Sequence, residues 1–149
     1  FNKIQALIQA GIDEGARLET GGTGRPDGLN AGFYIKPTVF SHVTNDMTIA
    51  QEEVFGPVLA AMSFTDEADA IALANGTDYG LSSGVFTRDI SRAHRMVERL
   101  RAGLVHVNTY GGVDNTVPLG GVGQSGNGHD KSPHGMDKFR NLKTAWIQL

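Results

Sequence analysis

The residues best suited to chemistry form one short run, Glu52-Glu53-Val54-Phe55. Two carboxylates precede an aromatic ring, between a Pro- and Asp-containing loop and an apolar run that starts at Val58. Ligands gather at strand ends in α/β sheets, so a carboxylate here can bind hydroxyl groups. From these residues alone, a charged surface turn reads equally well. A second run, Gly121-Val122-Gly123-Gln124-Ser125-Gly126, fits the spacing G-x-G-x-x-G. A dinucleotide fingerprint needs a strand before it, a helix opening within it and an acid about 20 residues on. Val117-Pro118 precede the run and Asn127-Gly128 follow it, so it reads as a glycine-rich loop. Ser125 is not a nucleophile elbow, because that motif needs glycine at position 127, which is Asn.

Metal chemistry finds little support. The histidines are His42, His94, His106, His129 and His134, and no pair has the i,i+4 spacing of a helical metal site. They read as scattered surface or strand residues. With no cysteine in the chain, disulfides, thiolate metal sites and cysteine catalysis are excluded within it.

The elements that must position these residues follow from periodicity. Phe1, Ile4, Leu7, Ile8 and Ile12 recur at helical spacing, predicting a helix over roughly the first sixteen residues. Glycines then mark a loop from Gly21 to Gly28. Phe33 to Ile35 and Thr38 to Phe40 read as short strands around Pro37. Val58 to Phe64 is apolar almost throughout, as in a strand covered on both faces. Asp66 to Asn75 reads as a helix with Ala68, Ile71 and Ala72 inward, stopped at Asn75-Gly76. Leu81 to Phe86 is the next strand. Asp89 can cap a helix burying Ile90, Ala93, Val97 and Leu100, which ends at Gly103 before the strand Leu104 to Val107. The arginines at 92, 95, 99 and 101 mostly leave that face and read as a solvated surface. Alternating strands and helices predict an α/β fold with a largely parallel sheet and right-handed crossovers. So many glycines between residues 111 and 128 indicate a functional loop. A short helical patch is expected near Pro133 to Phe139, then a strand-like tail that needs a partner.

The chain has 149 residues, 40% hydrophobic and 19% charged, enough for one soluble domain. A net charge of −3 gives no reason to expect nucleic acid or an anionic membrane as partner. No apolar run approaches a membrane span, so a soluble cytoplasmic protein is the expectation. The chain begins at Phe1 with a helical face and no preceding cap, which reads as a chain cut from something longer, with processing of a short leader as the alternative.

Several blocks together resemble the C-terminal segment of the aldehyde dehydrogenase superfamily. They are Gly32-Phe33-Tyr34-Ile35-Lys36-Pro37-Thr38-Val39, Gln51-Glu52-Glu53-Val54-Phe55-Gly56-Pro57-Val58, Asn75 to Leu81, Thr87-Arg88-Asp89, Gly103 to Asn108, Pro118 to Gly121 and Gln124 to Gly128. The resemblance covers essentially the whole chain. It implies an α/β fold with a largely parallel sheet and helices. Residues 1–140 would be the C-terminal portion of the catalytic domain, starting at the cofactor-domain junction, and 141–149 an oligomerisation strand. It implies that Glu53 binds the ribose on the nicotinamide side of NAD or NADP, that Phe55 packs near the nicotinamide ring, and that Lys3 lies close to the adenosine ribose. Val113, Asp114 and Leu119 fall on pocket positions at the aldehyde entrance.

The family's reaction needs a cysteine thiolate that attacks the aldehyde, and its other catalytic groups also precede this segment. No catalytic residue is therefore expected here, and the segment alone should be inactive. The implied partners are an aldehyde, the remainder of the enzyme and neighbouring subunits. A truncated remnant acting only in binding or assembly is the alternative reading. The sequence departs from the usual pattern at Leu119, where Phe is common, at Val122-Gly123, where an aromatic and Lys are common, and at His129, where Arg is frequent. Asp114 with Gly126 to Ser132 is similar to the branch acting on γ-glutamyl-γ-aminobutyraldehyde and related amino-aldehydes.

Overall fold

In the computed structural model, which describes every residue except Val113, the first apolar repeat forms α1 (Asn2–Asp13). The helix ends before residue 16 because Gly15 takes a φ of 93°. The amides of Ala16 and Gly15 then bond back to the carbonyls of Gly11 and Ile12, at 3.0 and 3.1 Å. This reciprocal pair satisfies the last helical carbonyls and needs a left-handed residue where Gly15 stands. Ala16 is buried beyond it. The chain leaves as β1 (Arg17–Thr20), which the sequence did not announce, because all of its residues are exposed and show no alternation.

The described residues gather into two units, Phe1–Thr77 and Asp78–Leu149. In the first, β2 (Thr38–Ser41) is the central strand of a three-stranded sheet. It pairs antiparallel with β1 and parallel with β3 (Val58–Ala60). Alternation buries Thr38 and Phe40 on one face. Thr38 can be buried because its hydroxyl accepts from the Gly22 amide at 3.0 Å and donates to the Lys36 carbonyl at 2.8 Å. Phe40 and Ile8 are fully buried, and Ala16, Val43 and Ile49 complete the core between α1 and the sheet. The connection carries α2 (Thr48–Gln51), whose N-terminus is held by Glu14. The Glu14 carboxylate accepts from the Thr48 amide at 2.7 Å and from its hydroxyl. A carboxylate is favoured there by the helix's unpaired amides.

Three expectations are corrected in this unit. Phe33 to Ile35 forms no strand; Phe33 stands exposed and Pro37 has no amide to offer a ladder. The run Val58 to Phe64 yields only the three-residue edge strand β3, with Leu59 and Phe64 exposed, so it is not covered on both faces. In α3 (Glu67–Asn75), capped by Asp66 through the Asp69 amide, Ala68 and Ala72 are exposed and Ile71 is half-buried. Ala68, Ala70, Ile71, Ala72, Leu73 and Ala74 run nearly all the way round that helix, so spacing cannot select its inner face.

The second unit is built on the parallel pair of β5 (Ser82–Val85) and β6 (Leu104–Val107), joined by α4 (Ile90–Arg99). Asp89 caps α4 as expected, accepting from the amides of Ser91 and Arg92 at 2.9 and 3.1 Å. The buried residues are Ala93, Met96 and Leu100, whereas Ile90 and Val97 are 70% and 45% exposed, which corrects the predicted face by about one position. Short antiparallel pairs join β4 (Tyr79–Gly80) to β8 (Val122–Gly123) and β7 (Leu119–Gly120) to β9 (His129–Asp130). A 3₁₀ helix spans Pro133–Phe139, and residues 141–149 are exposed with no strand pairing inside their own chain. No helix among the described residues is long and apolar enough to cross a membrane.

Candidate functional site

Glu53 and Phe55 lie in the turn that links α2 to β3. The amide of Glu52 closes α2 on the Thr48 carbonyl at 2.8 Å, and Glu52 itself is already extended. Phe55 then takes a φ of 56°, rare for a bulky residue, and the Val58 amide bonds to the Gly56 carbonyl at 2.7 Å. The turn therefore carries local strain, of a kind that persists only where surroundings impose it and that clusters at functional sites. Here the surroundings are the first turn of α1. Lys3 Nζ donates to the Glu53 carbonyl at 3.4 Å. Ile4 lies so close to Gly56 that a Cβ there would stand 2.8 Å from Ile4 Cδ1. The result presents the Glu53 side chain to solvent and leaves Phe55 83% exposed.

Lys3, Glu53 and Phe55, fifty residues apart in sequence, are thus brought together by the packing of α1 on the sheet. The contact runs from Lys3 to the main chain of Glu53, which makes Lys3 a support for the turn. Sequence reading missed Ile4 in this role, since its helical spacing explains it fully as a core residue.

In the second unit, Asp114 Oδ1 accepts from the Thr116 amide at 2.8 Å and from its hydroxyl at 2.9 Å. The amide first, then the hydroxyl, hold the Asp114 carboxyl below the usual carboxylate range, with a smaller contribution from the charge of Lys131. Leu119 is half-buried in β7, opposite Asp130 in the antiparallel register. Lys138 pairs with Asp130 and lowers its pKa, through the hydrogen bond first and its charge second. Val113, the remaining predicted pocket residue, lies outside the described residues.

His129 and His134 are less scattered than the sequence suggested. Together with Pro118, Gly128, Asp137 and Lys138 they line a hollow of about 460 Å³. One lies on β9 and the other on the following 3₁₀ helix, so only the fold of the loop makes them neighbours. Among the described residues no group of three or more potential ligands could hold a metal ion. Gly121 to Gly126 holds β8 and a turn closed from the Gly126 amide to the Gly123 carbonyl at 3.2 Å, with no helix, so the fingerprint reading fails as expected. Ser125 acts in the fold itself, where its hydroxyl accepts from the Gly80 amide at 3.0 Å.

Asn108, in sequence only one member of a motif, gains a role of its own from the structure. It adopts a φ of 55°, and its side-chain amide exchanges two 2.8 Å bonds with the main chain of Thr87. The side chain thereby prolongs the β5–β6 pairing where the main chain turns away. A strand-end asparagine, which tolerates the left-handed region, was the available signal.

The model of the aldehyde dehydrogenase family matches residues 1–145, and the chain belongs to that family. It is 48% identical over 149 residues to a betaine aldehyde dehydrogenase of Sinorhizobium fredii, covering 99% of this chain and 30% of that one. It is 54% identical over 150 residues to the NADP/NAD-dependent aldehyde dehydrogenase PuuC of Escherichia coli, covering 99% and 29%. In structure it is similar to an indole-3-acetaldehyde dehydrogenase mutant of Pseudomonas syringae in complex with NAD+, with a TM-score of 0.93, 49% identity and coverage of 99% and 30%. The chain therefore spans about 30% of the length of these relatives. The α/β arrangement of strands and helices is that of the matching segment of the family's fold.

Proposed function

We propose that this chain serves the NAD(P)-dependent oxidation of an aldehyde to its carboxylic acid, as the C-terminal segment of a longer enzyme. The observation that carries the reading is the exposed Glu53–Phe55 turn, held in a strained conformation by Lys3 and Ile4 of α1. A nicotinamide dinucleotide, when bound, supplies the hydride acceptor. Glu53 suits its ribose because an exposed carboxylate can accept from two neighbouring hydroxyls. Phe55 suits the nicotinamide ring because an outward-facing aromatic can restrict its position and exclude water. Lys3 donates to the Glu53 main chain, and its role close to the adenosine ribose is carried by the family resemblance. Solved relatives described as NAD+ complexes support this assignment.

Val113, Asp114 and Leu119 form the aldehyde entrance. Thr116 holds the Asp114 carboxyl below the usual carboxylate range, and an acid near the entrance favours a cationic or amino-bearing aldehyde. The name betaine aldehyde dehydrogenase among the relatives supports an amino-bearing aldehyde, and the resemblance at Asp114 and Gly126 to Ser132 suggests the γ-glutamyl-γ-aminobutyraldehyde branch as the particular substrate class. Residues 1–140 act as part of the catalytic domain and 141–149 as an oligomerisation strand. Leu142, Trp146, Ile147 and Leu149 are almost wholly exposed in the single chain, the state of a strand awaiting a neighbouring subunit.

In the full-length protein, Glu53→Gln should weaken NAD+ binding or lower kcat/KM by about 1–3 kcal/mol, the scale for losing a charged hydrogen-bond partner. Steady-state kinetics with NAD+ titration measure it, and unchanged constants would remove Glu53 from the site. The isolated 149-residue chain, having no cysteine, should show no NAD+-dependent aldehyde turnover. Reduction of NAD+ by the purified chain, with contaminants excluded by mass spectrometry, would overturn that expectation.

A further inference from the structure

The chain contains two Asn-Gly pairs, Asn75-Gly76 and Asn127-Gly128. A glycine after asparagine leaves its main-chain nitrogen unshielded by a side chain and its backbone free to turn, so that nitrogen can approach the asparagine amide carbon. The two pairs differ in how firmly they are held. Asn75 is the last residue of α3, half-buried and engaged by a neighbour. Its glycine is tied from two sides: the Gly76 amide donates to the Leu73 carbonyl at 3.1 Å, and the Gly76 carbonyl accepts from Gln51 Nε2 at 2.9 Å and Asn45 Nδ2 at 3.4 Å. A Cβ on Gly76 would stand 2.6 Å from Asn45 Nδ2, which shows how closely the site is enclosed.

Asn127 is exposed between Gly126 and Gly128, whose φ angles are 99° and 91°. A Cβ placed on either glycine would meet nothing within 4 Å. The pairing that follows is the two-residue strand β9. A ladder so short and exposed opens at low cost.

We propose that Asn127 is a site of spontaneous conversion to isoaspartate and aspartate, and that the fold protects Asn75. The Gly128 nitrogen, losing its proton, bonds to Asn127 Cγ. The bond from Cγ to the side-chain nitrogen breaks, ammonia leaves, and a five-membered succinimide remains. Water opens that ring at either carbonyl, giving aspartate or isoaspartate, with no change of oxidation state. Both products place a new carboxylate beside Gly128 and His129, which line the hollow next to β7. Isoaspartate also inserts a methylene into the main chain of this loop. The inference does not depend on the proposed function.

The test incubates the full-length protein at mildly alkaline pH, folded and in denaturant, and maps its peptides by mass spectrometry with enzymatic isoaspartate detection. In the folded protein, position 127 is expected to convert several-fold faster than position 75, and in denaturant the two rates should converge. Equal rates in the folded protein overturn the proposal, as does an intact amide at 127 where the unfolded chain converts. Asn127→Ser should remove the signal from its peptide, and a signal that survives it overturns the assignment.

Discussion

Phe40→Ala is expected to cost about 3–5 kcal/mol of stability, the range for truncating a fully buried aromatic. Phe40 has no exposed surface and sits on the central strand, paired with Leu18 of β1 and Ala60 of β3. Its ring reaches across to α1, where a Cβ on Gly11 would lie 3.4 Å from Phe40 Cζ. Ile8 and Ile49 close the same cluster, so the space left by truncation is walled by a helix and a sheet that cannot both collapse into it. The effect should extend to the Glu53–Phe55 turn, because α1 carries Lys3 and Ile4 against Glu53 and Gly56. Thermal unfolding of the full-length protein reads the loss. Phe40→Leu, which keeps more volume, should lose less than half as much. A Phe40→Ala midpoint equal to that of the parent would show that this core is not what holds the segment.

Much of the fold was legible because its signals are local. Asp89 caps α4, and Asp66 caps α3, by bonds to amides two or three residues on. The strand Leu104–Val107 is where the sequence put it, directly after Gly103. What failed were faces and neighbours. The choice of Met96 over Val97 as the buried residue depends on what lies beneath α4, and the spacing of α4 alone does not contain that. β1 escaped notice because an edge strand with all residues exposed has no alternation to detect. The apolar run after Pro57 promised coverage on both sides, yet Leu59 is 60% exposed in this chain.

The candidate site was legible in a different way. Glu53 and Phe55 stood out as an acid and an aromatic before an apolar strand, but residue chemistry alone left a surface turn equally acceptable. The structure adds a left-handed Phe55 and a lysine, fifty residues away, that braces the main chain of Glu53. That brace is a long-range contact, and no spacing rule reaches it. The glycine-rich loop shows the same limit. Its composition marked it as special, yet some of its glycines are required by main chains that approach from elsewhere in the sequence.

Gly103, outside that loop but packed against its Gly120, is the sharpest case, and Gly103→Ala is expected to cost about 3 kcal/mol or more, at the upper end of overpacking penalties. Its φ is ordinary, so the demand is for space. A Cβ at 103 would stand 1.8 Å from the Gly120 carbonyl oxygen and 2.7 Å from its carbon. These are main-chain atoms with no side-chain freedom to yield. Nor can residue 103 retreat, since its own amide bonds to the Gly80 carbonyl at 3.0 Å and the next amide to Leu81 at 3.1 Å. Gly80 is itself confined, its missing Cβ lying 2.6 Å from the Arg101 carbonyl. The strain must therefore be relieved by pushing β7 outward, and β7 carries Leu119 of the proposed aldehyde entrance. Two readouts should move together in the full-length enzyme, a lower unfolding midpoint and a higher KM for aldehyde with NAD+ affinity little changed. Gly112→Ala is the matched control, because a Cβ there meets nothing within 4 Å, and it should stay within about 0.5 kcal/mol of the parent. If Gly103→Ala behaves like Gly112→Ala, the close approach of Gly103 to Gly120 is not a feature of the folded enzyme. If stability falls while KM for aldehyde holds, Leu119 does not line the entrance.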